Sequence, residues 1–322
     1  MIQKSDCQDD MDDRISVIIS TFSTKRYDDL IDLFQSLSAQ TYKNIEVVVI
    51  IDKNVELYEK LLQYTKSHDL TEFSVVLNTK NNGLSYSRNL GIRMASGSIV
   101  AYIDDDALPF PEWAAEIKKT FEDMSVGAVT GDVIPLWEEP SMCWFPKEIR
   151  WLVSCSYIMT PDQHSEVERG FGVNMAFRKE LFQEIGVFDT NLGISGNRWI
   201  GGEDTDMFLR ISEAGKKVIF NPQIRVLHKV PKTRISIKNI SKRAFNGGIS
   251  VAIMRKIRPY HIRKSTENQY LSKILFEFYP NAFRGVITQP SKALLKQIVY
   301  VSAVMTFQPL GFLYGNLKPW RE

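Results

Sequence analysis

Four short runs of β-branched and other apolar residues, separated by segments of helical character, constrain this chain more than any other feature. Residues 15–20 (ISVIIS), 45–51 (IEVVVII), 73–78 (FSVVLN) and 98–104 (SIVAYID) have the length of buried strands. Helix-like stretches lie between them at about 28–39, 56–66 and 85–95. A strand that is apolar on both faces must be covered on both, and strands alternating with helices join in parallel. The pattern therefore predicts an α/β fold with a mostly parallel sheet flanked by helices. At 322 residues, 44% of them hydrophobic, the chain can build one large domain, or one domain plus an appendage.

In such a sheet, ligands gather outside the carboxyl ends of the strands. Those ends are polar here: Ser20 and Thr21, then Asp52, then Asn78 to Gly83, then Asp104, Asp105 and Asp106. Three crowded carboxylates repel one another at neutral pH, and a hard divalent cation bound to diphosphate oxygens relieves that cost. A solvated acidic turn capping the next helix is the plainer alternative. In NNGLSYSRNLG (Asn81 to Gly91), glycines bracket a helix start that carries Arg88. Backbone N–H groups and a guanidinium suit phosphate, although taken alone the segment reads first as an ordinary loop and cap. In GGEDTDMFLR, the residues Glu203, Asp204 and Asp206 cap a helix or, for Asp204, offer a general base to an attacking hydroxyl. His228, after the strand-like QIRVL, is structural or exposed by default, and a metal ligand if aspartates hold a cation nearby.

From Thr130 to Asp162 the pattern loosens around Trp137, Trp144, Phe145 and Trp151, which predicts loops and short helices over a cleft. Regular signals return at 175–186, at a helix over about 203–214 closed by Gly215, and at a strand over 217–221. Between Arg225 and Lys264 there are twelve Lys or Arg and no Asp or Glu, a block suited to an anionic surface. The uncharged segment 297–317 matches the roughly 20 residues of a membrane span. Its Gln308, Pro309 and hydroxyls suit an interfacial helix as well. The 40 basic and 38 acidic residues nearly cancel, so nothing in the charge calls for nucleic acid. Residues 1–13 lack the apolar stretch of a secretory signal. Cys7, Cys143 and Cys155 are odd in number and form no CxxC pair, which fits a reducing cytosol. The expected division is a polar tail at 1–13, a catalytic domain at 14–230 and a basic helical extension at 231–322.

Taken in order, SVIISTFSTKRYDDL, Asp52, NNGLSYSRNLGIRMASG, AYIDDDALPFPEW, GFGVNMAFRKELFQEIGVFD and GGEDTDMFLRISEAG resemble the family 2 glycosyltransferases of the Rossmann-like GT-A fold, over residues 14–230. The resemblance implies that Thr21 and Asp52 contact the nucleotide base and ribose. It implies that Asn82, Arg88, Asp105 and Glu203 help hold the nucleotide sugar. Asp104 and Asp106 form the Asp-x-Asp motif, with Asp106 the first ligand of Mn2+ or Mg2+ and His228 a further one. Asn174 lines the donor-sugar or acceptor pocket, and Asp204 is the base of an inverting displacement. The segments STKRYD, WFPKEIRWLV and HKVPKTRISIKNISKRAFNGGIS resemble archaeal family 2 enzymes that extend dolichyl-phosphate-linked glycans, including with glucuronate. That likeness implies a UDP-sugar donor, a lipid-linked sugar acceptor and a place on the cytoplasmic face of the cell membrane. A sugar nucleotidyltransferase needs a glycine- and arginine-rich loop after the first strand, where this chain has Thr21-Phe22-Ser23-Thr24. A non-catalytic binding module would have no need to keep Asp104, Asp106 and Asp204 together.

Overall fold

The computed structural model describes residues 13–80, 83–195, 198–258 and 264–317, and the chain divides into two compact units. The first takes in the chain up to Ile134 together with Pro161–Trp199 and Glu203–His228. The second comprises Pro135–Thr160, Ile200–Gly202 and the chain from Lys229 onward.

The four apolar runs become strands β1 (Ile15–Thr21), β2 (Ile45–Asp52), β3 (Phe73–Asn78) and β4 (Ile99–Ile103). The segments between them form α1 (Tyr27–Ser38), α2 (Val55–Ser67) and α3 (Gly83–Met94). All four strands are parallel in the order β3-β2-β1-β4, with Ile15 level with both Ile45 and Ile99. The chain thus winds outward from β1 to β3 and returns to the other side of β1. This reversal opens a crevice at the carboxyl edge between β1 and β4.

Beyond β4 the pairing becomes mixed: the strand over 174–178 runs antiparallel to its neighbours, while those over 126–137 and 217–230 lie side by side in the same direction. The chain continues through β5 (Ala107–Pro109), α4 (Trp113–Thr120), β6 (Val126–Trp137), β7 (Ser165–Glu166) and β8 (Asn174–Arg178). Then come α5 (Leu181–Ile185), the short β9 (Gly193–Ser195) and β10 (Arg198–Ile200), α6 (Glu203–Glu213) and β11 (Lys217–Val230). The large sheet runs β3-β2-β1-β4-β8-β6-β11-β5, with β8 antiparallel to both β4 and β6, and β5 antiparallel to β11. Residues 130–137 are therefore strand rather than the expected loop. Gly131 there is a packing residue: a Cβ would lie 1.8 Å from the Ile224 carbonyl oxygen. Tyr102, Phe177, Phe188 and Phe208 fill the core, with Tyr102 and Phe188 edge to face at 5.3 Å.

The second unit is helical: α7 (Ile237–Ile257), α8 (Lys264–Ser272), a π-helical stretch at Lys273–Phe278, α9 (Tyr279–Thr288) and α10 (Lys292–Leu317). Its aromatic segment forms 3-10 turns at Pro140–Trp144 and Lys147–Val153. Phe145 is buried against the rings of Trp137, Trp144 and Tyr300. These aromatics pack against one another within their own unit.

Candidate active site

Strand order brings the sequence's polar strand ends together. Thr21 closes β1, and the acidic triplet follows β4 directly, so the Thr21 hydroxyl donates to Asp105 Oδ2 at 2.6 Å across the crevice. Asp105 is buried, and burial followed by the charge of Asp106 pushes its carboxyl up to about 7, against the pull of Thr21 and Arg26. Arg26, in the turn before α1, is a residue the sequence pattern does not single out. Its guanidinium pairs with Asp106 Oδ2 at 2.8 Å, Asp105 Oδ1 at 3.5 Å and Asp29 Oδ2 at 2.9 Å.

His228 arrives by antiparallel pairing. It lies within the continuous β11 rather than after a strand, level with Ala107 of β5, one residue past Asp106. Its Nε2 is 3.1 Å from Asp106 Oδ1, and the imidazole is fully buried. One ligand atom each from Asp104, Asp106 and His228 falls within 4.8 Å of the others. Carboxylate oxygens with one imidazole nitrogen suit Mn2+ or Mg2+. That Arg26 sits against this group shows the place to be one where the fold itself supplies positive charge.

The same edge receives the start of β8, because Asn174 pairs with Ile103. The turn before it, from Phe171 to Asn174, lies beside Arg88 and the start of α6. Buried Arg88 donates to Glu203 Oε1 at 3.0 Å and to the Gly172 carbonyl at 3.3 Å, and its guanidinium is 3.9 Å from Asp104 Oδ1. Burial, then the charge of Asp204, raises the Glu203 carboxyl to about 7 despite Arg88. Asp204 accepts from the Gly172 N–H at 3.0 Å through Oδ2 and from the Thr205 N–H at 2.7 Å through Oδ1. Gly172 is a second residue the sequence left unmarked. A Cβ there would be 2.8 Å from Arg88 Nη2 and 3.2 Å from Asp204 Oδ2. Asp206 differs from its neighbours, being buried and paired with Arg210 one turn on at 2.8 Å.

Asp52 ends β2 and accepts from Asn78 Nδ2 at 2.6 Å and Ser87 Oγ at 2.7 Å, both through Oδ1. Asn174, expected to line the sugar pocket, is fully buried inside the sheet. Its Oδ1 accepts from the Trp113 indole N–H at 2.9 Å, and its Nδ2 donates to the carbonyls of Ile224 at 2.8 Å and Asp132 at 3.4 Å. The amide is committed to the fold and anchors the turn that carries Gly172. Asn82 lies outside the described residues.

The site is thus a crevice at the topological switch point of an α/β sheet, carrying an Asp-Asp-His cluster and a nearby buried Arg-Glu pair. The chain belongs to Glycosyl transferase family 2, whose profile matches residues 16–186, and its fold is GT-A. It is 30% identical over 308 residues to the glucosyl-dolichyl phosphate glucuronosyltransferase of Haloferax volcanii, covering 95% of this chain and 97% of that one. It is 26% identical over 204 residues, 62% of each chain, to the succinoglycan biosynthesis protein ExoM of Rhizobium meliloti. Among solved structures, the mannosyltransferase PcManGT of Pyrobaculum calidifontis, in complex with GDP-Man and Mn2+, shares the fold. Its TM-score is 0.61 at 19% identity, over 95% of this chain and 88% of that one.

Proposed function

We propose that this glycosyltransferase moves glucuronate or a related sugar from its UDP ester to a hydroxyl of a dolichyl-phosphate-linked sugar, with inversion at the anomeric carbon. The donor and acceptor classes are supported by the near full-length similarity to the Haloferax volcanii enzyme. The observation that carries the chemistry is the single edge on which Asp104, Asp106 and His228 converge, one ion pair away from Glu203 and Asp204 through Arg88.

Asp104, Asp106 and His228 would hold Mn2+ or Mg2+, which supplies charge neutralisation to a departing diphosphate. Arg88 adds a fixed positive charge beside Asp104 and ties the cation cluster to the base. Asp52 offers its unbonded Oδ2 to a ribose hydroxyl, while Thr21 and Asp105 brace one another at the rear of the crevice. Asp204 takes the proton from the acceptor hydroxyl as that oxygen bonds to the anomeric carbon and the bond to the diphosphate oxygen breaks. Two backbone N–H donors fix the orientation of its carboxylate, so no reorganisation is needed at the moment of attack. Attack opposite the leaving group inverts the centre. Catalysis is contained in residues 14–230, and the basic, apolar C-terminal region keeps it at the cytoplasmic face of the membrane that carries the acceptor.

A screen of nucleotide sugars against a short polyprenyl-phosphate glucose, with and without Mn2+, tests this reading. The expected result is UDP release from UDP-glucuronate that needs both the divalent cation and the acceptor. Transfer that persists in chelator, or that ignores the lipid-linked acceptor, overturns it.

A further inference from the structure

Within the second unit, α10 has two unlike faces. Val301, Val304, Gly311 and Gly315 are buried, whereas Leu295, Val299, Leu310, Leu313 and Leu317 are exposed at steps of four, eleven, three and four, which place them in one opposite stripe. Small residues bring the buried face against α7. A Cβ on Gly248 would lie 2.0 Å from the Gln308 carbonyl oxygen, and one on Gly311 1.9 Å from that of Phe245. Lys256 Nζ donates to the carbonyls of Gly315 at 2.9 Å and Asn316 at 3.3 Å, and Arg255 lies over the Phe312 ring at 4.9 Å. Phe245 meets Gly311 and Lys256 meets Gly315, so the two helices run in the same direction. Near its start, α10 is held by Gln297 donating to the Trp144 carbonyl at 2.8 Å, and by Tyr300 packed on Trp144.

By length and composition α10 passes for a membrane span: its 26 residues reach about 39 Å against a hydrocarbon core of roughly 30 Å. Its partner prevents that arrangement. Helix α7 carries Lys238, Lys242, Arg243, Arg255 and Lys256 and no acidic residue. Crossing the bilayer with α10 would take these charges into hydrocarbon. The exposed stripe nevertheless needs a cover, since most of the apolar length of α10 is not buried in the protein. It is continuous in sequence with Leu275, Phe276, Phe283 and Ile287. Of the nineteen large apolar side chains exposed among the described residues, twelve lie between Leu271 and Leu317, a concentration that marks an interaction surface. Lys273, Arg284, Lys292 and Lys296 are interspersed there with a single acid, Glu277.

We infer that α9 and α10 form an in-plane docking surface for an anionic lipid bilayer, in which α10 lies along the interface and does not cross it. The apolar stripe enters the headgroup boundary, the lysines and arginine meet anionic lipid, and α7 stays on the protein side. The inference rests on the membrane part of the proposed function and is independent of donor, acceptor and cation.

Flotation of the full-length protein with phosphatidylcholine vesicles containing one quarter phosphatidylglycerol tests it. Phe276→Glu, Ile287→Glu and Leu313→Glu alter side chains that are 75%, 83% and 59% exposed, so folding is not at stake. Each is expected to lower the bound fraction at least tenfold and to leave UDP binding unchanged. In a cysteine-free background, Lys292→Cys and Asn316→Cys should both react with an impermeant maleimide added outside the vesicles. Labelling of one only after lysis means a span and overturns the inference. So does wild-type flotation that the variants match, or a dimer in solution that conceals the stripe. Failure of the transfer assay with flotation intact would sink the donor and acceptor assignment alone.

Discussion

Glu46, at the amino end of β2, and Asp105, just past the carboxyl end of β4, are both drawn in from solvent, and their surroundings differ in kind. Glu46 Oε1 accepts from Ser16 Oγ at 2.5 Å, the Ser96 N–H at 2.6 Å and Ser96 Oγ at 2.8 Å. Burial pushes its carboxyl up, but these bonds more than reverse the effect and hold it below the ordinary glutamate range. Asp105 has one hydroxyl donor and a like charge beside it, and rises to about 7; Glu203, on the same edge, does the same. One end of the sheet satisfies its carboxylate with neutral donors from its own chain. At the other, Asp105, Asp106 and Glu203 lie against cations, Arg26 or Arg88, and so remain responsive to what binds.

The contrast breaks most sharply at Asp204. Asp204→Asn should cut transfer about 1,000-fold with UDP binding retained, by single-turnover kinetics and calorimetry; parallel loss of both would make Asp204 a structural carboxylate like Glu46. Gly172→Ala comes next, displacing Arg88 and Asp204 together and lowering kcat by about 10- to 100-fold, and an unchanged kcat would show that the turn gives way freely. Glu46→Gln should leave turnover alone and cost on the order of 1–2 kcal/mol in urea unfolding at pH 7. The folded carboxyl of Glu46 is depressed, so its contribution is present above about 4.5 and fades as pH falls through the folded value. Variant and wild type therefore converge in acid.

Arg26→Gln should raise Mn2+ affinity without donor about fivefold, the equivalent of roughly 1 kcal/mol for a partly exposed ion pair, as read by electron paramagnetic resonance. Weaker Mn2+ binding would mean that Arg26 aids the cation instead of standing in for it. The smallest effect is expected at Glu203→Gln, within about 1 kcal/mol once the altered bond to Arg88 is included. Its sign is opposite to that at Glu46. A raised folded value means that wild-type stability is full below about 4.5 and is lost as pH climbs through about 7. The glutamine variant should gain on wild type between pH 5 and 8.

The parallel half of the sheet was plain in the sequence because each strand is one unbroken apolar run ending in a polar residue. The mixed half was not. In β11, Asn221-Pro222 divides KVIFN from QIRVL, so one 14-residue strand reads as two pieces and His228 looks like a residue beyond them. In β6, Gly131 and Pro135 read as turn signals, although the glycine is there to admit the Ile224 backbone. The acids and Arg88 were legible because charge at strand and helix ends has few structural reasons to cluster. Arg26 and Gly172 were not, since their contacts lie 80 and 32 residues away in Asp106 and Asp204. The sheet bonds of Asn174 were hidden for the converse reason: a polar residue before an apolar run looks the same whether its amide faces ligand or locks a sheet.

The cation cluster joins residues made far apart in time. At roughly 5–20 residues per second, His228 leaves the ribosome some 6 to 25 seconds after Asp106, so a nascent chain carries crowded carboxylates without their imidazole. Arg26 is synthesised ahead of them all and already pairs with Asp105 and Asp106 in the finished fold. The same guanidinium is therefore on hand to screen the acids while the sheet is still half built.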